Sequence, residues 1–202
     1  SSQSRGLGDV YKRQAHELAH SWFHHLLGTN EAKYAWMDEG FTSFYDMLCE
    51  AEILGTEDPY SSFYNRYYQL VNSGVEEPLT THADRFQYNF AYGVASYSKG
   101  AVFLAQLGYI IGAENLMKTI KRYYEVFQFS HPTPNDFKRI AEKVSGMQLE
   151  WYLNDWVRTT NTIDYGIQQV EEKDQKTKIT LERIGNMAVS YTHLRAHETE
   201  TN

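Results

Sequence analysis

Several features that would assign this chain to a common class are scarce or missing. It has one cysteine, Cys49, so no disulfide forms within the chain and cysteine usage does not indicate a redox compartment. No apolar run approaches the roughly 18 residues of a membrane-spanning helix, so no transmembrane segment is predicted. Lys and Arg number 19 against 26 Asp and Glu, and no basic stripe is present. This mildly acidic balance argues against nucleic-acid binding.

Aromatic residues, in contrast, are abundant, with 16 Tyr, 10 Phe and 4 Trp. Rings at this density are typical of a helical domain that packs ring against ring, and they also line substrate clefts. About 170 residues with clear patterning are enough for one domain with a core.

The two ends of the chain, residues 1–14 and 188–202, are set aside. They show neither a helical nor a strand period, and they resemble translated sequencing-adapter sequence, so we expect them to be artefactual. His193, His197 and Glu198 would then not form a second metal site, despite their spacing. What remains would be an internal part of a longer protein. Any signal peptide would lie upstream, so no cellular location is predicted.

Residues 15–162 show helical periodicity and are predicted to form one mainly α domain. The expected helices cover Ala15–Leu27, Trp36 or Asp38 to Leu54, Tyr60–Val71, Ser96–Ile111, Glu114–Phe127, a segment capped by Thr133 that ends at Ser145, and Leu149–Val157. Residues 163–187 change character, because β-branched residues alternate in Ile163–Val170 and Thr177–Ile184 around a charged turn at 171–176. We expect this segment to be the first hairpin of a separate β domain.

The most informative pattern joins His16, Glu17, His20 and Glu39. Residues four apart share one helix face, so both imidazoles can reach one metal ion. Glu17 projects beside them, where a metal-bound water would lie. Position 26 is leucine, where the HExxHxxGxxH class needs a third histidine, so a carboxylate is the expected third ligand. The sequence therefore predicts one catalytic zinc ion held by His16, His20 and Glu39, with its fourth position open to water.

Three stretches together resemble the aminopeptidase N-like gluzincins, a family of thermolysin-like zinc peptidases. They are His16–Phe23 (HELAHSWF), Trp36–Thr42 (WMDEGFT) and Tyr97–Ala101 (YSKGA). The resemblance implies the helical half of a thermolysin-like catalytic domain, followed from about residue 163 by a small β-sandwich. It implies zinc-dependent removal of N-terminal residues from peptides. It also implies that Tyr97 is the catalytic tyrosine, which would act beside Glu17, the general base.

Four further residues have less direct assignments. Tyr92 would line the pocket or simply pack. Asp46, two turns after Glu39, would orient a ligand or, as the favoured interpretation, lie on a solvated acidic face. His24 is expected to lie outside the set of metal ligands, because a helix diverges from one ion after a turn. Lys99 would face either solvent or the cleft.

Two alternative functions stay open at this point. One is a hydrolase of another substrate on the same scaffold, similar to the leukotriene epoxide hydrolases, and the other is a non-catalytic zinc-binding interaction domain. The Gly-Ala-Met-Glu-Asn type of motif, with which family exopeptidases bind the substrate N-terminus, does not occur in the chain. We therefore expect this chain by itself to bind zinc weakly and to hydrolyse little.

Overall fold

The computed structural model describes residues 13–173 and 176–187, which are helical up to residue 158 and form a β-hairpin after residue 164. The chain divides into two compact units, with the boundary between Thr160 and Asn161. The positions predicted to be artefactual lie largely outside the described residues, including His193, His197 and Glu198. Residues 13 and 14 are described, and they extend the first helix.

The first unit consists of helices joined by short connections. In chain order these are α1 (residues 13–19), α2 (Glu31–Ala35), the π-helical turn π1 (Trp36–Gly40), α3 (Phe41–Leu54), α4 (Ser61–Ser73), a 3₁₀ turn (Ala83–Arg85), α5 (Asn89–Gly93), the π-helical turn π2 (Val94–Lys99), α6 (Gly100–Ile111), α7 (Ala113–Phe127), α8 (Pro134–Ser145) and α9 (Glu150–Arg158). From α3 onward the ends agree with the sequence signals within a few residues. Gly55 ends α3 in the left-handed conformation, with φ 66°. Thr133 caps α8, and its backbone N–H donates to Asp136 Oδ2 at 2.9 Å.

Helix α1 is shorter than the predicted Ala15–Leu27 segment. It ends at residue 19, and the amide N–H groups of Ser21 and Trp22 donate to carbonyls only three residues back, at 3.0 Å each. His24 then adopts φ 102°, which a right-handed helix does not allow. The prediction of one helix to Leu27 was therefore wrong, because an apolar period does not reveal this backbone reversal.

The two π-helical turns cross at two glycines. A Cβ atom built on Gly40 would lie 2.7 Å from Gly100 Cα, and one built on Gly100 would lie 2.8 Å from Gly40 Cα. Real Cβ contacts are not this short, so only glycine fits at either position. The contact brings π1 and π2, and the residues they carry, against each other.

Buried aromatic rings fill the core behind this crossing. Trp36 meets Phe103 edge-on at 4.9 Å, and Phe41 meets Phe137 edge-on at 5.0 Å. Tyr152 is 2% exposed, and its hydroxyl donates to the Phe103 carbonyl at 2.6 Å. Buried aromatic pairs of this kind contribute about 0.5–1.5 kcal/mol each beyond area burial. Part of the aromatic surplus in the composition thus forms the core.

The second unit holds one antiparallel hairpin, β1 (Tyr165–Lys173) and β2 (Lys176–Arg183), with Val170 opposite Ile179. A bulge interrupts the register between Ile167 and Gln169. The pairing continues into the charged segment that was predicted as the turn, where Glu171 faces Lys178 and opposite charges across strands stabilise the pair.

The mainly helical fold followed by the start of a β domain is confirmed. Within the described residues, no helix combines the length and apolar character needed to span a membrane.

Candidate metal centre

Three predicted ligands converge at the start of the helical unit. His16 lies on α1, His20 lies in the turn that follows, and Glu39 lies on π1. Glu39 Oε2 is 3.2 Å from His16 Nε2 and 3.5 Å from His20 Nε2. One donor atom from each residue lies within 4.8 Å of the other two. The structure thus brings together the three residues that the sequence had indicated.

The donor set fits zinc in chemistry and in spacing. Two imidazole nitrogens and one carboxylate oxygen are ligands that catalytic zinc takes. Atoms that sit ~2.0–2.1 Å from a tetrahedral zinc are separated from each other by about 3.4 Å. The two measured separations from Glu39 Oε2, 3.2 and 3.5 Å, lie on either side of that value.

Tyr97 joins this cluster from π2. Its ring stacks on the His16 imidazole, with centroids 5.7 Å apart and planes inclined by 13°. Burial raises the pKa of Tyr97 well above its usual value, and the nearby Glu39 carboxylate raises it further. The phenol therefore stays protonated, as a hydrogen-bond donor, throughout the neutral range.

The two charged members of the cluster shift each other's ionisation. A hydrogen bond to Glu39 raises the pKa of His16, although partial burial opposes the charged imidazolium. Burial works against ionisation of Glu39, but the hydrogen bonds from His16 and Tyr97 outweigh it, so the pKa of this carboxyl is lowered. Without a metal, the site favours an imidazolium–carboxylate pair, and a bound cation takes the place of that proton.

Asp38 is a site residue that the sequence analysis did not single out. Its Oδ1 lies 2.8 Å from His20 Nδ1, and Thr42 Oγ1 lies 3.2 Å from the same nitrogen. Burial raises the pKa of Asp38 to about 6. A metal-ligating histidine usually donates its other ring N–H to a carboxylate or carbonyl, which fixes its tautomer and orientation. The only sequence signal for this role was the position of Asp38 directly before Glu39.

The remaining candidates are placed as follows. Glu17 is exposed on α1 next to His16, and its charge acts on that imidazole. Tyr92 packs edge-on against Phe86 at 5.5 Å, and the charge of Glu39 acts on its phenol. His24 lies outside the three-residue cluster, as expected, with Nδ1 3.6 Å from Asp38 Oδ2.

Two of the open interpretations were resolved against the sequence analysis. Asp46 is only 4% exposed and its charge acts on His16, so the favoured solvated face was wrong. Lys99 is fully buried, and its Nζ donates to Glu76 Oε1 at 2.7 Å. It therefore faces neither solvent nor the cleft.

A cavity of about 480 Å³ opens beside His16 and Tyr97 and is also lined by Asp46 and Arg66.

Comparison with known proteins assigns the chain to the metallopeptidases. The model of the peptidase family M1 domain matches residues 2–156, and the chain belongs to peptidase family M1. The predicted resemblance to aminopeptidase N-like gluzincins is thereby confirmed. The match begins inside the N-terminal stretch expected to be artefactual, and that expectation stays a prediction.

Individual relatives are distant and much longer. Aminopeptidase M1-A of Oryza sativa subsp. japonica is 26% identical over 171 residues, which are 82% of this chain and 19% of that protein. Aminopeptidase N of Streptomyces lividans is 28% identical over 71% of this chain and 18% of its own length. The chain thus spans about a fifth of the relatives it matches. An M1 zinc metallopeptidase from Deinococcus radiodurans, solved as a variant with a Tyr-Ser-Ala substrate, superposes with a TM-score of 0.61 at 23% identity, over 72% of this chain and 32% of that one.

Proposed function

We propose that this chain carries the water-activating part of a zinc aminopeptidase, with one zinc ion held by His16, His20 and Glu39. The observation that supports this most directly is the convergence of three donor atoms at the spacing of zinc ligands. Zinc, when bound, supplies a Lewis acid that lowers the pKa of a coordinated water from 15.7 toward ~7. Asp38 and Thr42 hold His20 in the orientation that presents its Nε2.

The protein's own groups then manage the proton and the developing charge. Glu17 accepts the proton from the attacking water and delivers it to the leaving amine, so it acts first as general base and then as general acid. Tyr97 donates its phenolic hydrogen to the oxyanion that forms at the scissile carbonyl. Its raised pKa keeps that hydrogen in place. Donors of this kind are worth about 10²–10³ in rate.

The aminopeptidase assignment is supported by relatives rather than by groups in this chain. The proteins described above carry aminopeptidase names, and a solved family member holds a short peptide. We infer that peptides with a free N-terminus are the substrates. Neither the epoxide hydrolase alternative nor the non-catalytic alternative finds support among these relatives.

The test combines zinc content with hydrolysis. For the wild type, Glu17→Gln and His16→Asn, we would measure bound zinc at equilibrium during a titration, because weak binding is expected. The same samples would be assayed on leucine anilide and on its N-acetylated form. We expect Glu17→Gln to keep zinc while its rate falls by at least about 10², and His16→Asn to lose zinc. Because little hydrolysis is expected from this chain alone, zinc content is the primary measurement.

Each outcome addresses a separate part of the proposal. Hydrolysis that persists in Glu17→Gln would remove Glu17 from the mechanism. Zinc binding that survives His16→Asn unchanged would overturn the ligand set. Equal cleavage of the acetylated anilide would show that a free N-terminus is not recognised.

A further inference from the structure

The cavity beside the proposed zinc ligands is walled by four helical segments. Its lining includes His16 from α1, Ser43 and Asp46 from α3, Ser62 and Arg66 from α4, and Tyr97 from π2. The volume of about 480 Å³ lies within the ~300–1,000 Å³ that is typical of sites for small ligands. A peptide whose scissile carbonyl lies between His16 and Tyr97 would therefore place a neighbouring part of its chain in this cavity.

Arg66 brings an unpaired positive charge to the cavity. Its side chain is exposed, and it makes no ion pair or hydrogen bond with another described residue. Asp46, a carboxylate in the same lining, is only 4% exposed and already interacts within the protein. Arg13 also lines the cavity, but it lies in the terminal stretch that we expect to be artefactual. No described side chain therefore neutralises the charge of Arg66.

The neighbourhood of Arg66 on α4 adds to this preference for an anion. Ser62 lies one helical turn before Arg66 on the same face, and both residues line the cavity. Ser62 is also in the first turn of α4, where the helix dipole is positive. The Ser62 hydroxyl can donate a hydrogen bond to an oxygen of a group that the guanidinium holds. Arg66 and Ser62 together are thus suited to a carboxylate.

We propose that Arg66 makes this cavity select peptides that carry a carboxylate just after the scissile bond. This selection rests on the aminopeptidase function proposed above. A guanidinium binds a carboxylate through paired, charge-assisted hydrogen bonds, and it repels an ammonium group. The free N-terminus of the substrate is therefore assigned to the other side of the scissile bond. The carboxylate is either the side chain of an acidic second residue or the C-terminus of a dipeptide, since both present the same group.

The test measures how tightly short leucyl peptides bind to the complete 202-residue chain, with zinc omitted and with zinc added. Ligand-observed NMR titration would give the dissociation constants. Leu-Glu-amide is compared with Leu-Gln-amide, which lacks the side-chain carboxylate, and Leu-Leu is compared with Leu-Leu-amide, which lacks the terminal one. The variants are Arg66→Gln and Arg66→Glu. Their matched control is Arg122→Gln, at an exposed arginine of α7 outside the cavity lining.

We expect the wild type and Arg122→Gln to bind the carboxylate member of at least one pair about 3–10-fold more tightly than its uncharged partner. Added salt should reduce this preference. Arg66→Gln should abolish it, and Arg66→Glu should reverse it. The pair that shows the preference identifies which carboxylate Arg66 binds.

Three results would overturn the proposal: equal affinities within both pairs, no binding of any peptide, or a preference that Arg66→Gln leaves intact. The metal-free samples do not involve zinc, so failure of the proposed zinc site and failure of this selection are separate results. The first would be seen in the zinc content and the second in the peptide affinities.

Discussion

Gly40 and Gly100 touch backbone to backbone, at a distance where a Cβ on either would lie within 2.8 Å of the other's Cα. Glu39 directly precedes the first glycine, and Tyr97 lies one helical turn before the second. The distance between the Glu39 and Tyr97 side chains therefore depends on how closely π1 and π2 approach. A backbone contact in the core thus sets the distance between the two side chains proposed to bind zinc and the oxyanion.

Gly100→Ala should both destabilise the fold and separate these groups. The added methyl would meet backbone atoms that cannot move aside, so we expect a loss of at least about 1–3 kcal/mol in the free energy of unfolding, measured with urea. Gly93→Ala is the matched control, because nothing lies within 4 Å of its added Cβ and its φ is negative. Helix propensity predicts that this control gains up to about 1 kcal/mol. Equal effects of the two substitutions would contradict the close-packing argument.

Lys99→Met should be strongly destabilising. The Lys99 ammonium is fully buried, 2.7 Å from Glu76 Oε1 and 5.7 Å from the centre of the Tyr67 ring. Removal of the cation leaves the Glu76 carboxylate buried without its partner, which costs about 3–5 kcal/mol. The double variant Lys99→Met/Glu76→Leu removes both charges and should recover most of that loss. Urea unfolding of the wild type, both single variants and the double variant measures the coupling. Strictly additive losses would show that the two charges do not stabilise each other.

Asp38→Asn should weaken zinc binding by His16, His20 and Glu39. The amide keeps an oxygen beside His20 Nδ1, but the negative charge that attracts this imidazole is gone. Loss of such a supporting group typically reduces metal affinity by about 10–100-fold. Competition with a chromophoric chelator at pH about 8 measures the change. Unchanged affinity would mean that Thr42, 3.2 Å from the same nitrogen, is sufficient to orient His20.

Zinc affinity should fall as the solution becomes more acidic. The pKa of His16 is raised above 6.5 by its hydrogen bond to Glu39, so below that pKa a metal ion must displace a proton from the ring. The lowered pKa of Glu39 keeps the carboxylate ionised over the same interval. We therefore expect the apparent affinity to drop by up to about 10-fold per pH unit below the His16 pKa and to level off above it. Chelator competition between pH about 5.5 and 8.5 measures the profile. A flat profile would show that His16 is not a ligand.

The proposed ligands could be selected from the sequence because helical spacing is a short-range property. The interval of four residues between His16 and His20 survives although α1 ends before His20, since the His20 amide N–H still donates to the His16 carbonyl at 3.3 Å. The ends at Gly55 and Gly146 were likewise local, because both glycines adopt a positive φ. Helix ends of this kind can be predicted from a single residue.

What the sequence did not reveal depends on contacts between distant segments. The π-helical form of residues 36–40 and 94–99 accompanies the Gly40–Gly100 crossing, which joins positions 60 residues apart. Burial of Lys99 depends on Glu76, 23 residues away, and an isolated lysine gives no sign of that partner. Asp38 could be assigned to His20 only after π1 had been placed beside the turn that follows α1.

Because of the π-helical turns, a helix could stay continuous while its side chains change direction. A π turn holds more residues than an α turn, so deletion of Ser98 or Lys99 would leave a regular, continuous helix. Each residue of an α-helix turns the chain by about 100°, so everything before the deletion would rotate by that angle relative to α6. Tyr97 would then leave Glu39 and His16 while the helix itself gained regularity. A one-residue deletion that a helix tolerates well would therefore remove Tyr97 from the candidate site.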